Sequence, residues 1–302
     1  MIKGLAITPP IIGRIAIGHV VEKNGKRLPE KDDFFTITTQ LQNYEGWILH
    51  PLQAKLAGTT SNGKLRAIPV RVLFNSPDLN LRAQYNLFDR TTGRPVCVGD
   101  GETARRTTPE GIQQLPCPSP TSCAFGGTSG CKLFGRLNVQ IDGQEDEMGC
   151  FIFRTTGYNS VRTLAARLNY FQAVSGGHCR HLPLMLRLRG KSTTLSHRTP
   201  VYYADLTLRD GMTLTDAVAT ARSEADQQAN AGVDTEALEN TARLVMANGA
   251  FEESEEEAPD ILEEFYPEDS NDESNSQQPP PTGTTIRRSD LTPRLAKART
   301  RA

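Results

Sequence analysis

Short runs of β-branched and aromatic residues, separated by residues that favour turns, dominate the hydrophobic pattern at the start of the chain. IIGRIAIGHVV and DFFTIT have this composition, and so do AIPVRVLF and the run from Leu79 to Asp89. Such segments favour β-strands. Asn24-Gly25 lies between the first two segments and is a residue pair that favours a tight hairpin turn. The pattern therefore predicts a mainly antiparallel sheet.

Two more strands and a helix are predicted after a loop that extends from 91 to 135. RLNVQIDG and GCFIFRTT are typical of strands, and an acidic turn joins them. The helix is expected to begin with Ser160 as its N-cap and to end at Gly176. Its apolar positions recur at helical spacing: Val161, Leu164, Ala165, Leu168 and Phe171.

A two-residue alternation then predicts a hairpin with one apolar and one charged face. LPLMLRLRGK places four leucines on one face, and VYYADLTLRD supplies the partner strand with Asp205 on its outward face. The outward face and the turn together collect five cations: Arg187, Arg189, Lys191, Arg198 and Arg209. This grouping predicts contact with an anionic partner, either DNA phosphate or an acidic protein surface.

The predicted fold class is α+β: a β-dominated antiparallel body with a zinc-stabilised loop insertion, C-terminal helices and a disordered tail. Thr213 and Asp216 form a capping box for one helix, and Asp234 begins another that ends before Gly249. The expected divisions are a body at 1–210, which includes the cysteine-rich loop at 91–135, accessory helices at 211–249, and the tail at 250–302.

Charge is distributed unevenly along the chain. Residues 250–302 contain 13 acidic and 6 basic residues, which leaves 28 Lys and Arg against 22 Asp and Glu, a formal net charge of +6, in residues 1–249. Such a tail is expected to be disordered and dispensable for folding. Either it only keeps the protein in solution, or its acidic part imitates nucleic acid and folds back on a basic face.

Four cysteines occur close together in a stretch that has few apolar residues and is rich in Gly, Pro, Thr and Ser. They are Cys97, Cys117, Cys123 and Cys131. Disulfide partners, a catalytic pair or metal ligands are all conceivable, as is a set of reduced, partly buried thiols. Four thiolates can complete a tetrahedral shell around Zn²⁺, and a metal would order a long loop that lacks a core. The spacing therefore predicts a structural zinc site, with Lys132 and Arg136 flanking the last ligand as further candidates for partner or nucleic-acid binding.

Other candidate chemistry is weaker. GGHCRHLP places His178, Cys179 and His181 close together, and Cys150 could join them in a second metal site, but a turn with solvent-facing imidazoles is the simpler expectation. No catalytic residues are assigned and no small-molecule substrate is indicated. The sequence contains neither a long apolar run nor a secretory signal, so a cytoplasmic protein with reduced thiols and no membrane association is expected.

Several motifs together resemble one known family. The chain resembles the Gp3-like, or recombination directionality factor-like, family over residues 1 to about 210. The motifs that carry the resemblance are GRIAIG, DDFFTIT, VCVGDGETARR, the C-P-S-P-x-x-C cluster, CKLFGRLNV and IFRTTGYNSVRTL. Members include phage factors that bind a large serine integrase and switch it from integration to excision, and many bacterial relatives carry only the label "hydrolase or metal-binding protein".

The resemblance implies a non-enzymatic recombination accessory factor of a mobile element, with a site-specific recombinase, DNA or both as partners. Two alternatives stay open. One is a metal-dependent hydrolase that acts on nucleic acid, although the cysteine cluster lacks the histidine and carboxylate ligands that a hydrolytic site uses. The other is a general accessory protein that binds single-stranded DNA.

Overall fold

The computed structural model describes residues 10–23, 26–44, 46–192, 194, 198–246, 261–262 and 265–266. The predicted turn at 24–25 and nearly all of the predicted tail lie outside the described residues. Among the described residues, the strands are β1 (Ile11–Lys23), β2 (Lys26–Asn43), β3 (Gly46–Leu49), β4 (Ala67–Val72), β5 (Leu81–Phe88), β6 (Pro95–Gly99), β7 (Thr103–Thr108), β8 (Gly111–Pro116), β9 (Lys132–Ile141), β10 (Cys150–Thr155), β11 (Leu184–Lys191) and β12 (Val201–Leu208). The helices in the same residues are α1 (Pro51–Ala57), α2 (Pro77–Asn80), α3 (Gly126–Ser129), α4 (Tyr158–Ser175), α5 (Leu214–Asn230) and α6 (Thr235–Met246).

All these strands belong to one sheet, in which β9 has three partners. The main path runs β3-β2-β1-β10-β9-β5-β6-β7-β8. β4 joins β9 beyond the end of β5, and β11 and β12 continue the sheet from β4. The predicted strand-dominated α+β class is confirmed. The expectation of an antiparallel sheet holds with one correction, because β1 pairs with β10 in parallel.

The predicted long loop at 91–135 contains three strands, β6, β7 and β8, and the beginning of β9. β6, β7 and β8 form an antiparallel meander that extends the sheet from β5. Backbone hydrogen bonds of this kind order a segment without many apolar side chains, and the threonine-rich β7 suits a strand whose faces are only partly buried. The expectation of a long loop without regular structure is therefore wrong for the part from Pro95 to Pro116, which strand pairing orders.

The main core lies between the sheet and α4. Four of the five predicted apolar positions of α4 are fully buried: Val161, Leu164, Leu168 and Phe171. Gly176 ends the helix with a φ of 67°, as expected of a left-handed C-cap. The N-cap is Gly157 rather than Ser160, whose buried hydroxyl instead accepts a hydrogen bond from the Ala204 backbone N–H at 3.1 Å.

The helices predicted as accessory elements contribute to the core of the body. Ala217 and Ala221 of α5 are fully buried in the main core, and Ala242 of α6 packs in a smaller cluster with Phe74 and Cys150. Thr213 caps α5 as predicted, since its hydroxyl accepts the Asp216 N–H at 3.2 Å. None of the described helices is long and apolar enough to cross a membrane.

A buried asparagine fixes the connection between β4 and β5. The Asn80 side-chain oxygen accepts the N–H groups of Leu73 and Phe74, each at 2.9 Å. Its amide nitrogen donates to the carbonyls of Phe74 at 2.7 Å and Ser76 at 3.0 Å. This side chain therefore holds a non-strand segment in a buried position where water cannot replace it.

We predict that Asn80→Ala lowers the free energy of unfolding by about 3 to 5 kcal/mol, because it leaves several buried backbone groups without partners. Chemical denaturation measures the change. Asn62→Ala is the matched control, since Asn62 accepts only one exposed N–H, that of Lys64, and its loss should cost less than about 0.5 kcal/mol. Equal costs for the two variants would contradict the structural role of Asn80.

Candidate functional site

The fold brings the four predicted cysteines together. Cys97 lies on β6, Cys117 follows β8 directly, and Cys123 and Cys131 lie on either side of α3. All four line one cavity of about 10 Å³, whose wall also includes Arg106. Cys97 is buried and the other three are half-buried. Residues that lie far apart in the sequence therefore form one thiol cluster.

Two glycines permit this close approach. A Cβ at Gly99 would lie 2.6 Å from the Cys117 sulfur, and one at Gly126 would lie 2.9 Å from the Cys131 Cβ. Real Cβ atoms do not approach other atoms so closely, so any side chain at either position would push the cysteines apart. The cluster is thus built from the backbone of β6 and α3 as well as from the thiols.

The thiols have different electrostatic environments. The Gly126 N–H donates to the Cys123 sulfur at 3.2 Å and, with the nearby Arg106 guanidinium, lowers the pKa of this thiol. Burial, followed by repulsion from the other three cysteines, raises the pKa of Cys131 to about 11. A bound divalent cation would reverse the repulsion, because it stabilises thiolates.

The described residues contain no three His, Cys, Asp or Glu side chains in a finished metal-binding arrangement. The cysteine cluster has the right donor atoms around one cavity, but its side chains would have to move to close a shell around an ion. The zinc-stabilised loop is therefore not established by the fold. The donor set itself fits Zn²⁺, which prefers thiolate ligands in structural sites.

The second suggested metal site is not assembled. Cys150 and Cys179 are both fully buried in separate hydrophobic clusters, and burial raises the pKa of each to about 12. His181 is only 3% exposed, so the expectation of a solvent-facing imidazole is wrong for this residue. Its pKa is lowered, first by burial and then by the charge of Arg180. These side chains serve packing.

The predicted hairpin is present, and three of the four leucines on its apolar face are buried as expected, while Leu188 is half-buried. Leu182, Leu184 and Leu186 are fully buried. The opposite face is not a row of unpaired cations, because acids neutralise its arginines. Arg187 pairs with Asp210, and Arg209 pairs with Asp142.

Asp205 is the centre of this ion-pair network. It was expected at the surface but is only 4% exposed. It accepts from Nε of Arg167 on α4 at 3.0 Å and from Nε of Arg189 on β11 at 3.2 Å. It therefore fastens the helix to the hairpin. Lys191 and Arg198 are exposed next to a turn at which residues 193 and 195–197 lie outside the described residues.

The two basic residues expected beside the cysteine cluster differ in accessibility. Arg136 is 1% exposed and donates to the Gln84 side chain at 3.3 Å, so it lies inside the protein and not on a binding face. Lys132 is half-buried, and its ammonium group lies 4.8 Å from the ring centre of Phe265. Lys132 thus belongs to a contact with the C-terminal segment.

The contact between the C-terminal segment and the body was not predicted from the sequence. Ile261, Phe265 and Tyr266 lie in the predicted disordered tail, yet all three are buried against Phe88 and Phe134. The expectation that residues 250–302 lack order does not hold for this part of the tail. An aromatic pair inside an otherwise acidic segment was the available signal, since such rings favour burial over solvent.

We predict that Asp205→Ala lowers the free energy of unfolding by about 2 kcal/mol, because it removes the partner that α4 and β11 share. Asp210→Ala is the matched control: Asp210 also pairs with a hairpin arginine, but its side chain is 81% exposed, and its loss should change the free energy of unfolding far less than the loss of Asp205. Thermal and urea unfolding measure both changes. An Asp205→Ala cost no larger than the control would contradict the fastening role.

Comparison with known proteins identifies a family. No curated protein and no solved structure gives a significant match to the chain. The family model of the Gp3-like proteins, described as recombination directionality factor-like, matches residues 12–209. This range extends from the beginning of β1 to just past the end of β12 and includes the whole cysteine cluster. The chain therefore belongs to the Gp3-like, recombination directionality factor-like family.

Proposed function

We propose that this protein is a non-enzymatic accessory factor of DNA recombination in a phage or other mobile element, and that it binds a site-specific recombinase of the serine integrase class. The match of the family model over residues 12–209 is the observation that supports this function. A directionality factor acts by binding the recombinase and changing which reaction it favours. The proposed contribution of this chain is therefore binding energy, while the recombinase performs the bond exchange.

The chemistry of the cysteine cluster favours this function over metal-dependent hydrolysis. A hydrolytic zinc site leaves one ligand position open for water and uses histidine or carboxylate ligands. Four thiolates would fill the shell. The donor set is thus that of a structural site.

We further propose that Cys97, Cys117, Cys123 and Cys131 hold one structural Zn²⁺. The shared cavity, the two glycines that permit close approach and the all-sulfur donor set support this proposal. Zinc would join the β6–β8 meander to the beginning of β9 and so stabilise the segment between Cys117 and Cys131. It would supply folding energy and no reaction step.

Protein purified without an affinity metal is predicted to contain about one zinc per chain. Elemental analysis measures it, and replacement by Co²⁺ should produce the visible absorption of tetrahedral thiolate coordination. Cys123→Ser should lose the metal. Cys150→Ala, which removes a thiol outside the cluster, should keep it.

A titration of thiols after denaturation separates zinc from disulfides. The chain has 6 cysteines, and all should react if the cluster is reduced and metal-bound. Metal-free wild-type protein would overturn the zinc proposal even if the Cys123→Ser variant failed to fold. The recombination function would not be affected by that result.

The recombination function is tested by affinity capture from the native host, with and without nuclease. We predict that a serine recombinase, identified by mass spectrometry, is captured under both conditions. The purified pair should then convert an excision substrate faster than the recombinase alone and an integration substrate more slowly. Capture that disappears with nuclease, or an unchanged ratio of the two reactions, would contradict the proposal.

We also propose that the cations of the β11–β12 hairpin contact the recombinase, and the same capture experiment tests this contact. Arg187→Ala combined with Arg189→Ala removes two partly exposed side chains, and Arg167 still pairs with the buried Asp205, so the fold should persist. Reduced capture of the recombinase by this variant would support the contact. Undiminished capture would exclude these two arginines from the interface.

A further inference from the structure

The C-terminal segment is anchored to the body by a cluster of aromatic rings. Phe265 is fully buried, and its ring centre lies 4.9 Å from that of Phe88 and 5.5 Å from that of Phe134, both in edge contacts. Ile261 is fully buried in the same cluster. Edge contacts between aromatic rings add to the free energy of burying their apolar surface. Phe88 and Phe134 therefore form the floor of a pocket that this segment fills.

Cations and a backbone carbonyl form the rim of the pocket. The Tyr266 hydroxyl donates to the Phe88 carbonyl at 3.2 Å. The Arg90 guanidinium lies 4.7 Å from the ring centre of Tyr266, and the Lys132 ammonium lies 5.2 Å from it. A cation over an aromatic face attracts the ring. The rim thus selects an aromatic residue beside the one that fills the floor.

The spacing of the anchors is that of a helical ligand in a groove. Ile261, Leu262 and Phe265 have helical backbone conformation, and the Tyr266 N–H donates to the Leu262 carbonyl at 2.7 Å. Residues four apart therefore face the pocket together. The sequence around them is acidic, with twelve Asp and Glu and no Lys or Arg between Phe251 and Glu273. Its charge is opposite to that of the pocket rim.

The family model covers the pocket but not the segment that fills it. Phe88, Arg90, Lys132 and Phe134 all lie within the matched range 12–209, whereas the segment lies outside it. The pocket is thus part of the matched body, and its occupant lies beyond the matched range.

We propose that Phe88, Arg90, Lys132 and Phe134 form a binding site for an acidic helical peptide with two adjacent aromatic residues on a partner protein, and that the chain's own segment around Ile261–Tyr266 occupies this site in competition with the partner. This proposal goes beyond the recombination function and does not depend on it. An attached ligand acts at an effective concentration on the order of millimolar, so a segment with an intrinsic dissociation constant of about 10 µM would weaken the apparent affinity of a free peptide about 100-fold.

The test uses the full-length chain and a fluorescent synthetic peptide of residues 255–270. Phe265→Ala with Tyr266→Ala should vacate the pocket and raise the apparent affinity for the peptide by about 100-fold over wild type, measured by anisotropy. The matched control is Tyr158→Ala with Tyr170→Ala, which removes two aromatic side chains that are 65% and 50% exposed elsewhere, and it should bind like wild type.

Three further measurements establish specificity. Lys132→Glu added to the vacated variant should abolish binding, and a peptide with alanine at both aromatic positions should not bind. Tyr266→Phe removes the hydroxyl that donates to the Phe88 carbonyl and keeps the ring, and it should raise the apparent affinity about fivefold. This variant provides a test even if the double variant is unstable.

The proposal would be overturned if neither the double variant nor Tyr266→Phe bound the peptide more tightly than wild type. Equal binding of a scrambled peptide of the same charge would also overturn it, because only net charge would then matter. A vacated variant that gained affinity for DNA and not for the peptide would show that the segment covers a nucleic-acid surface instead.

Discussion

The requirement that a buried strand pair along both of its edges organises this fold. β9 is mostly buried, and its backbone groups need partners inside the protein because water cannot reach them. One edge pairs with β10. The other pairs first with β5, from Lys132 to Leu137, and then with β4, from Val139 to Ile141. The chain must therefore leave β4 and return as β5 along the same edge, and the buried Asn80 side chain satisfies the backbone of that connection.

The same strand connects the thiol cluster with the aromatic pocket. Cys131 is the residue directly before β9, and Lys132 and Phe134 follow on one face, since alternate residues of a strand face the same side. On the other side of the cluster, Cys97 pairs with Leu87 of β5, next to Phe88. A change in the position of Cys131 would thus be transmitted over one residue to Lys132 at the rim and over three residues to Phe134 at the floor of the pocket.

The sequence pattern predicted those elements that are determined by residues close together in the chain. The apolar stripe of α4, the caps at Gly176 and Thr213 and the leucine face of the β11–β12 hairpin could be inferred, because each depends on neighbours within a few residues. The meander at β6–β8 could not, because β7 and β8 carry few apolar residues and are ordered by pairing outward from β6, which itself pairs with β5. The parallel contact of β1 with β10 joins segments more than a hundred residues apart, and nothing in either segment records it.

The part of the candidate site that could be predicted from the sequence is the part in which the residue type alone indicates the chemistry. Four cysteines in a polar stretch indicated one cluster, and the fold places them around one cavity. The acids that neutralise the hairpin could not be assigned to their arginines, because Asp142 and Arg167 come from a turn and a helix elsewhere in the chain. The docked aromatic pair was hidden by the acidic composition of its surroundings.

These ion pairs change what can be inferred about binding from the net positive charge of residues 1–249. A formal charge of +6 in residues 1–249 suggests one basic surface, but Arg187, Arg189 and Arg209 are paired with acids of the same fold. Arg90 and Lys132 instead lie over aromatic rings. Contacts of the second kind depend on ring burial and close approach, whereas binding to phosphates weakens steeply as salt displaces the protein's cations. An acidic ligand of the pocket is therefore recognised mainly through its aromatic residues. Its negative charge adds an electrostatic contribution to the binding free energy, and salt screens that contribution.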